Sequence, residues 1–247
     1  MDRTQKELYE QSWTKHSIRP PEMWSMNSVI KKILKKKGQI LEVGPGNWPK
    51  SPIINTIFLE LTVTGAYNLK RIGARASTGS IENIPFKDKT FDIVIALEVI
   101  EHVPNVQQSF LEIKRVLKKK GLLIFSTPIH QKLWTHFDSL AGHLRRFDPI
   151  ELLEIVYRNN FQLIKFIGRK DLPVSFLNVS ALLEERNKRI MMSLSEMNVY
   201  IQSRLSQTKL YRALNSQARD PDLWFNPNLY VSMSKNLGNV TLLCQKK

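Results

Sequence analysis

A single cysteine, Cys244, stands in 247 residues, so neither an intrachain disulfide nor a cysteine metal cluster is available. Long apolar runs are missing too. None approaches the roughly 18 residues needed to cross a bilayer, so no transmembrane segment is expected. The opening residues, Met-Asp-Arg-Thr-Gln-Lys-Glu, lack the apolar core of a secretory signal, and the expected location is the cytoplasm. Internal repeats and low-complexity tracts are absent. Negative charge is scarce: 22 Asp and Glu face 37 Lys and Arg, for a net charge of +15. Such a surplus suits nucleic acid, an anionic membrane face or an acidic substrate. The lysines, however, gather at 31–37 and 118–120. Each run sits where a helix is expected to end before a strand, and the helix dipole favours cations there.

What is present is organised around residues 38–49. Ile40, Leu41 and Val43 form a short β-branched apolar run that reads as a buried strand. Glu42 lies near its carboxyl end, where open α/β sheets bind ligands. Gly44, Pro45 and Gly46 follow at once. A strand ending in such a turn lets backbone N–H groups approach a ligand without an intervening side chain. The loop alone fits a nucleotide-like site or an ordinary tight turn equally well.

The rest of the chain reads as alternating strands and helices. Residues 1–37 form two helical segments broken at Pro20-Pro21, and Ser51-Pro52 opens a short helix. Strand two is expected over 61–65, with no clear helix over 68–80. Residues 91–97 form a continuous apolar strand, as in the middle of a parallel sheet. A helix over 106–119 is capped by Gly121, and residues 122–125 are again a buried strand. A histidine-bearing loop fills 128–147. Asp148-Pro149 opens a helix over 148–159, and strands occupy 161–167 and 240–244. Residues 179–219 read as a basic amphipathic helical cover, with a dimerisation or membrane-surface helix as the alternative. The expected domains are an N-terminal helical cap at 1–37, a core at 38–168 and 236–247, and a helical basic insertion at 169–235.

Several motifs stand in one order: Glu42-Val-Gly44-Pro-Gly46, then Ile84-Pro85-Phe86 ahead of Phe91-Asp92-Ile-Val, then Glu98-Val-Ile-Glu101-His102-Val103, then Leu117-Lys-Lys-Lys-Gly121, then Gly142-His143-Leu-Arg145-Arg146-Phe147. This ordered set resembles the class I S-adenosylmethionine-dependent methyltransferases, in the broad group that includes ubiquinone-biosynthesis and sugar- or antibiotic-modifying O-methyltransferases. The resemblance implies a Rossmann-like, doubly wound, seven-stranded, mostly parallel α/β sheet, with a helical N-terminal segment and a helical insertion before the last strand. It implies S-adenosyl-L-methionine as cofactor. Gly44, Pro45 and Gly46 would line its methionine end, and Glu42 and the Leu97 carbonyl would fix its ammonium. Ser80 and Ile81 fall where the family contacts adenine. The family's ribose-gripping acid at the end of strand two maps to Tyr67, with Glu60 several residues early. Ser80 replaces a common aspartate, and Trp48 replaces the third glycine.

On that resemblance His102 and His143 are the candidate proton acceptors for an oxygen acceptor, with His130 and His136 as substitutes. Arg145 and Arg146 are candidates to meet a substrate carboxylate or phosphate. Some relatives use Glu-x-x-Glu-His for a divalent ion, so Glu98, Glu101, His102 and His143 make a less favoured metal set. The function expected is O-methylation of a small molecule or glycan. A non-catalytic binding protein of the same fold is the alternative, and nucleic-acid methylation is the second, less favoured one.

Overall fold

The computed structural model describes residues 38–169 and 237–247, together with 7, 9, 10, 13, 17–21, 32–34, 230 and 234. Among these residues seven strands form one sheet: β1 Ile40–Val43, β2 Thr56–Glu60, β3 Arg75–Thr78, β4 Phe91–Leu97, β5 Leu117–Pro128, β6 Phe161–Arg169 and β7 Asn239–Lys246. Their order is β3-β2-β1-β4-β5-β7-β6. All pairs are parallel except those of β7, which runs antiparallel to both neighbours. The chain order switches on either side of β1 and β4, and open α/β sheets bind ligands at such a crevice, beyond the strands' carboxyl ends. The expected sheet is therefore the observed one.

Four helices longer than one turn are described: α1 Val63–Arg71, α2 Val106–Val116, α3 His136–Ala141 and α4 Pro149–Arg158. Apolar residues at helical spacing on α2 (Val106, Phe110, Ile113, Val116) are all buried against the sheet. Asp148 caps α4 as its Asp-Pro start foretold, accepting from the N–H groups of Ile150 and Glu151. β4 is buried over its central residues because helices cover both faces of the sheet.

Three local expectations are corrected. Strand two is Thr56–Glu60, not 61–65. Thr62 is instead an N-cap whose hydroxyl accepts from Gly65 N at 3.1 Å, which starts α1 where a strand had been expected. No helix follows Ser51-Pro52, because the Ser51 N–H and hydroxyl both go to Glu42. α2 stops at Val116, so Gly121 lies inside β5 rather than capping a helix, and Lys118, Lys119 and Lys120 sit on the strand, not a helix end. Most of the basic cover at 169–235 and most of the helical cap at 1–37 lie outside the described residues.

Candidate active site

The glycine loop leaves β1 with Gly44 at φ 59° and Gly46 at φ 55°, left-handed backbone that suits glycine. A Cβ on Gly46 would meet nothing within 4 Å, so the loop opens onto space there. Pro45 between them is buried. Glu42 faces inward beneath the loop. Its Oε1 accepts from Lys50 N at 2.8 Å, and its Oε2 from Ser51 N at 2.8 Å and from the Ser51 hydroxyl. Both oxygens therefore shape the turn that follows the loop. Burial raises the Glu42 carboxyl above its ordinary range, against the pull of Lys50.

Glu60 ends β2 and is buried. Burial pushes its carboxyl up to about 7, opposed by the N–H groups of Leu61, Thr62 and Gly46 and by the Trp13 indole. Tyr67, the residue expected at this place, instead lies on α1 and is 61% exposed. The shift of strand two explains the correction: the acid at its carboxyl end is Glu60. Leu97 closes β4, half-buried. After β3, the Ser80 hydroxyl accepts from Glu82 N at 3.1 Å and Ile81 packs in the main core cluster.

The second half of the site gathers beyond β4 and β5. His102 ends a one-turn 3-10 helix, Ile100–His102. Its Nδ1 is 3.1 Å from the Gly142 carbonyl and 2.9 Å from the Tyr9 hydroxyl. Nδ1 donates to the Gly142 carbonyl in one tautomer and accepts from the Tyr9 hydroxyl in the other. Burial, with His143 adding to it, draws the His102 imidazole down to about 4. His143 stands across from it, the rings 4.8 Å apart and edge-on. Its Nδ1 is 2.8 Å from Asp138 Oδ1. Asp138 is fully buried. It also takes two bonds from the Arg146 guanidinium (2.8 and 3.1 Å) and two from Thr135, N at 2.7 Å and Oγ1 at 2.9 Å. Burial opposes its ionisation, but these donors outweigh it and hold the carboxyl at about 2. An ionised Asp138 only accepts, so His143 presents a bare Nε2, 3.9 Å from Glu101 Oε1.

Glu101 is fully buried, and its Oε1 has no hydrogen-bond partner. Burial and the nearby Glu98 charge raise its carboxyl well above the ordinary range. Glu101, His102 and His143 each offer one ligand atom, all within 4.8 Å of one another. A carboxylate oxygen and two imidazoles brought this close call for a shared proton or a cation. Glu98, the fourth expected member, takes bonds from Asn239 Nδ2 (3.0 and 2.9 Å) and from the Ser126 hydroxyl. It holds a left-handed backbone at φ 55°, a strain typical of functional sites.

The remaining expected groups stand apart from this cluster or serve it indirectly. Arg145 donates to the Pro104 carbonyl at 3.2 Å, and Arg146 is spent on Asp138. His130 contacts the Ser234 carbonyl at 2.7 Å, and His136 is exposed on α3. Asp138 was not foreseen, although Thr135-x-x-Asp138 is a capping-box pattern that the structure realises at the start of α3. Lys50 and Trp13 were likewise missed.

Residues 60–125 match the family model described as a methyltransferase domain, and the sheet has the fold of solved S-adenosylmethionine-dependent methyltransferases. Among individual proteins, the chain is 32% identical over 126 residues to an uncharacterised protein of Methanocaldococcus jannaschii, covering 49% of this chain and 55% of that one. It is 43% identical over 60 residues to a ubiquinone biosynthesis O-methyltransferase of Rickettsia bellii, covering 24% and 23%. The chain thus spans about half the length of the first curated relative and about a quarter of the second. Among solved structures, a methyltransferase of Thermotoga maritima described as a possible histamine N-methyltransferase superposes with TM-score 0.56 at 16% identity, covering 99% and 94%. A geranyl diphosphate C-methyltransferase of Streptomyces coelicolor, solved with S-adenosyl-L-homocysteine and Mg2+, gives TM-score 0.56 at 11% identity, covering 90% and 79%. The two neighbours' names put the methyl group on nitrogen and on carbon, so the shared fold does not set the acceptor.

Proposed function

We propose that the chain transfers the methyl group of S-adenosylmethionine to a hydroxyl oxygen of a small molecule or glycan. The observation that carries this is the Arg146–Asp138–His143 chain, which ends in a bare imidazole nitrogen beside the carboxyl ends of β4 and β5. A sulfonium leaving group departs as a neutral thioether and needs no acid, whereas a hydroxyl nucleophile must lose its proton. The new C–O bond forms as the C–S bond breaks, the electron pair stays on sulfur, and the proton goes to His143 Nε2. Asp138 fixes the tautomer and stabilises the imidazolium that results. His102, whose pKa of about 4 makes it a weak base, serves to position. Gly44, Pro45 and Gly46 cradle the methionine end, Glu60 receives the ribose hydroxyls, and Leu97, Ser80 and Ile81 line the remainder. Alignment and exclusion of water supply the rest of the acceleration.

Glu60 at the end of β2 weakens the non-catalytic alternative, because that reading leaned on a missing ribose acid. Against a nucleic-acid acceptor, Lys118, Lys119 and Lys120 lie at the amino edge of the sheet, the end opposite the site. Titration calorimetry with S-adenosylmethionine, followed by labelled-methyl transfer to panels of hydroxylated small molecules, glycans and RNA, tests the assignment. Binding with transfer to a hydroxylated small molecule or glycan supports it. Absence of binding at millimolar cofactor sinks the enzyme, and transfer to RNA alone sinks the acceptor class.

A second reading keeps this reaction and adds a divalent ion held by Glu101, His102 and His143. The unpartnered Glu101 Oε1, 3.9 Å from His143 Nε2 and clustered with His102 within 4.8 Å, favours it, and both rings have Nδ1 contacts of the kind usual for metal-bound histidines. A bound ion would act as a Lewis acid on the acceptor hydroxyl. Metal analysis of protein purified without chelator decides the matter. Stoichiometric metal that Glu101→Ala loses supports the ion. A metal-free wild type indifferent to magnesium and manganese ends it.

A further inference from the structure

Glu60, which ends β2, already has its acceptor sites filled. Leu61 N donates to its Oε1 at 2.9 Å, and Thr62 N, Gly46 N and the Trp13 indole donate to the same carboxylate. An ionised carboxylate offers about four acceptor sites, so four donors leave no place for a ligand. Three of these donors are main-chain groups of the β2–α1 junction and the glycine loop. The fourth comes from a distant part of the chain. Tyr9, Glu10 and Trp13 are helical, and Tyr9 and Trp13, four residues apart, share one face. That face lies along the carboxyl edge of the sheet: Trp13 meets Glu60, and the Tyr9 hydroxyl meets His102 Nδ1 at 2.9 Å. Glu10 Oε1 accepts at 3.1 Å from Val63 N, the first N–H of α1. The Asn68 amide donates to the Trp13 carbonyl at 3.1 Å. Further along, Arg19 N donates to the Asn47 carbonyl at 2.8 Å and the Trp48 indole to the Pro20 carbonyl at 3.3 Å. These N-terminal residues therefore touch both halves of the site. Trp13 is buried in an apolar cluster with Phe58, Ala66 and Leu69. Gly65 makes room for it, since a Cβ there would strike both the indole and Glu60.

We propose that Trp13 is an internal competitor of the cofactor: its indole N–H holds the place on Glu60 that a ribose hydroxyl takes, and S-adenosylmethionine binds by displacing it. The proposal rests on reading Glu60 as the acid that receives the ribose hydroxyls. An indole N–H and a hydroxyl are each neutral donors of one hydrogen, so the carboxylate accepts either. The main-chain donors leave only if the start of α1 or the glycine loop rearranges. Trp13 leaves when the N-terminal residues lift from the edge of the sheet. Because Tyr9 shares its face, the same movement draws Tyr9 away from His102, so cofactor binding opens the reaction half and precedes the acceptor. A ligand that must wait for an internal group to leave binds with its affinity reduced by the fraction of molecules in which that group is away.

Calorimetry with S-adenosylmethionine and S-adenosylhomocysteine tests this on the wild type, Trp13→Phe, Glu60→Gln and the double variant. Phenylalanine keeps an apolar ring in the cluster and deletes the donor. Trp13→Phe is expected to bind both ligands about tenfold more tightly than the wild type, the scale of one hydrogen bond to a charged group. Asn68→Ala releases the Trp13 carbonyl without touching Glu60, and is expected to tighten binding about threefold. If Trp13→Phe does not fold, Asn68→Ala carries the test. The double variant is expected to bind like Glu60→Gln alone, because the competition ends with the carboxylate. Weaker or unchanged binding in Trp13→Phe, or in Asn68→Ala where that variant stands alone, overturns the competitor and makes Trp13 a brace that holds Glu60 for the ribose. A tenfold gain that persists in the double variant overturns competition at Glu60. If Glu60→Gln then also binds like the wild type, the reading of Glu60 as the ribose acid falls too. Failure of the wild type and of Trp13→Phe to bind either ligand overturns the cofactor site and the competitor together.

Discussion

The two edges of the sheet treat charge in opposite ways. At the carboxyl edge four acids are buried: Glu42 is 2% exposed, Glu60 5%, and Glu101 and Asp138 0%. Their acidities are displaced in both directions, upward by burial for Glu42, Glu60 and Glu101, and downward by Arg146 and its companions for Asp138. At the amino edge Lys119, Lys120 and Lys247 are exposed, and Lys118 makes a half-exposed ion pair with Asp92 at 2.8 Å. Exposed pairs are each worth ~0–1 kcal/mol, because water screens them. The difference shows that the large net charge says little about chemistry. The scarce acids, taken out of water, line the proposed site. Displaced acidities collect where a reaction needs them.

Substitutions at the carboxyl edge should sharpen this contrast most. Replacing His143 with Ala removes the proposed proton acceptor, and kcat should fall ~10²- to 10⁴-fold, with cofactor affinity little changed. Single-turnover kinetics with a identified acceptor reads this directly. A loss of less than tenfold would remove His143 from the proton-transfer role.

Glu60→Gln comes next. A carboxylate gripping two hydroxyls makes charge-assisted bonds that an amide cannot match, so the cofactor dissociation constant should rise ~10-fold. In the wild type the grip requires ionised Glu60. With its pKa near 7, cofactor affinity should increase as pH rises from about 6 to 8, and Glu60→Gln should flatten that slope. Folding shows the opposite sign. A pKa raised above its unfolded value contributes stability below about 4.5, and that contribution is lost as pH rises through about 7. Thermal melting across this range should therefore show wild type losing stability relative to Glu60→Gln.

Tyr9→Phe tests a smaller effect. The hydroxyl contacts His102 Nδ1 at 2.9 Å, and its loss should cost ~0.5–1.5 kcal/mol of stability. A change in kcat as large as that of His143→Ala would make Tyr9 part of the chemistry.

How much of this was legible beforehand depends on range. β1 and β4 were readable because each is a mostly apolar, β-branched run broken by a single acid and bounded by turns. β2 was not, because 56–60 and 61–65 have the same β-branched character and only the Thr62 cap separates them. That five-residue slip moved the expected ribose-binding position from Glu60, which ends β2, to Tyr67, so one misplaced boundary altered the reading of the whole proposed cofactor half. In the reaction half, His102 and His143 stood out as motif residues. Asp138 and Asn239 did not, because their roles arise from tertiary folding that no local pattern encodes. Glu98 shows the limit: its spacing to Glu101 and His102 suggested one cluster, yet its side chain is held by Asn239, 141 positions away.

The smallest expected effect lies at the amino edge and tests the comparison from its other side. Lys119 and Lys120 are exposed on β5, and changing both to Glu exchanges solvated cations for solvated anions far from the glycine loop. The melting temperature should shift by no more than ~0.5 kcal/mol implies, and kcat and cofactor affinity should stay at wild-type values. Screening over about 10 Å in 0.1 M salt keeps this charge reversal from reaching the buried acids across the sheet. The measurement gains power when repeated with the natural acceptor at low salt. If KM for the acceptor then rises steeply in the variant while kcat holds, the acceptor is itself polyanionic and spans both edges. In that case the amino edge is a docking surface, and the contrast drawn between the two ends of the sheet does not hold.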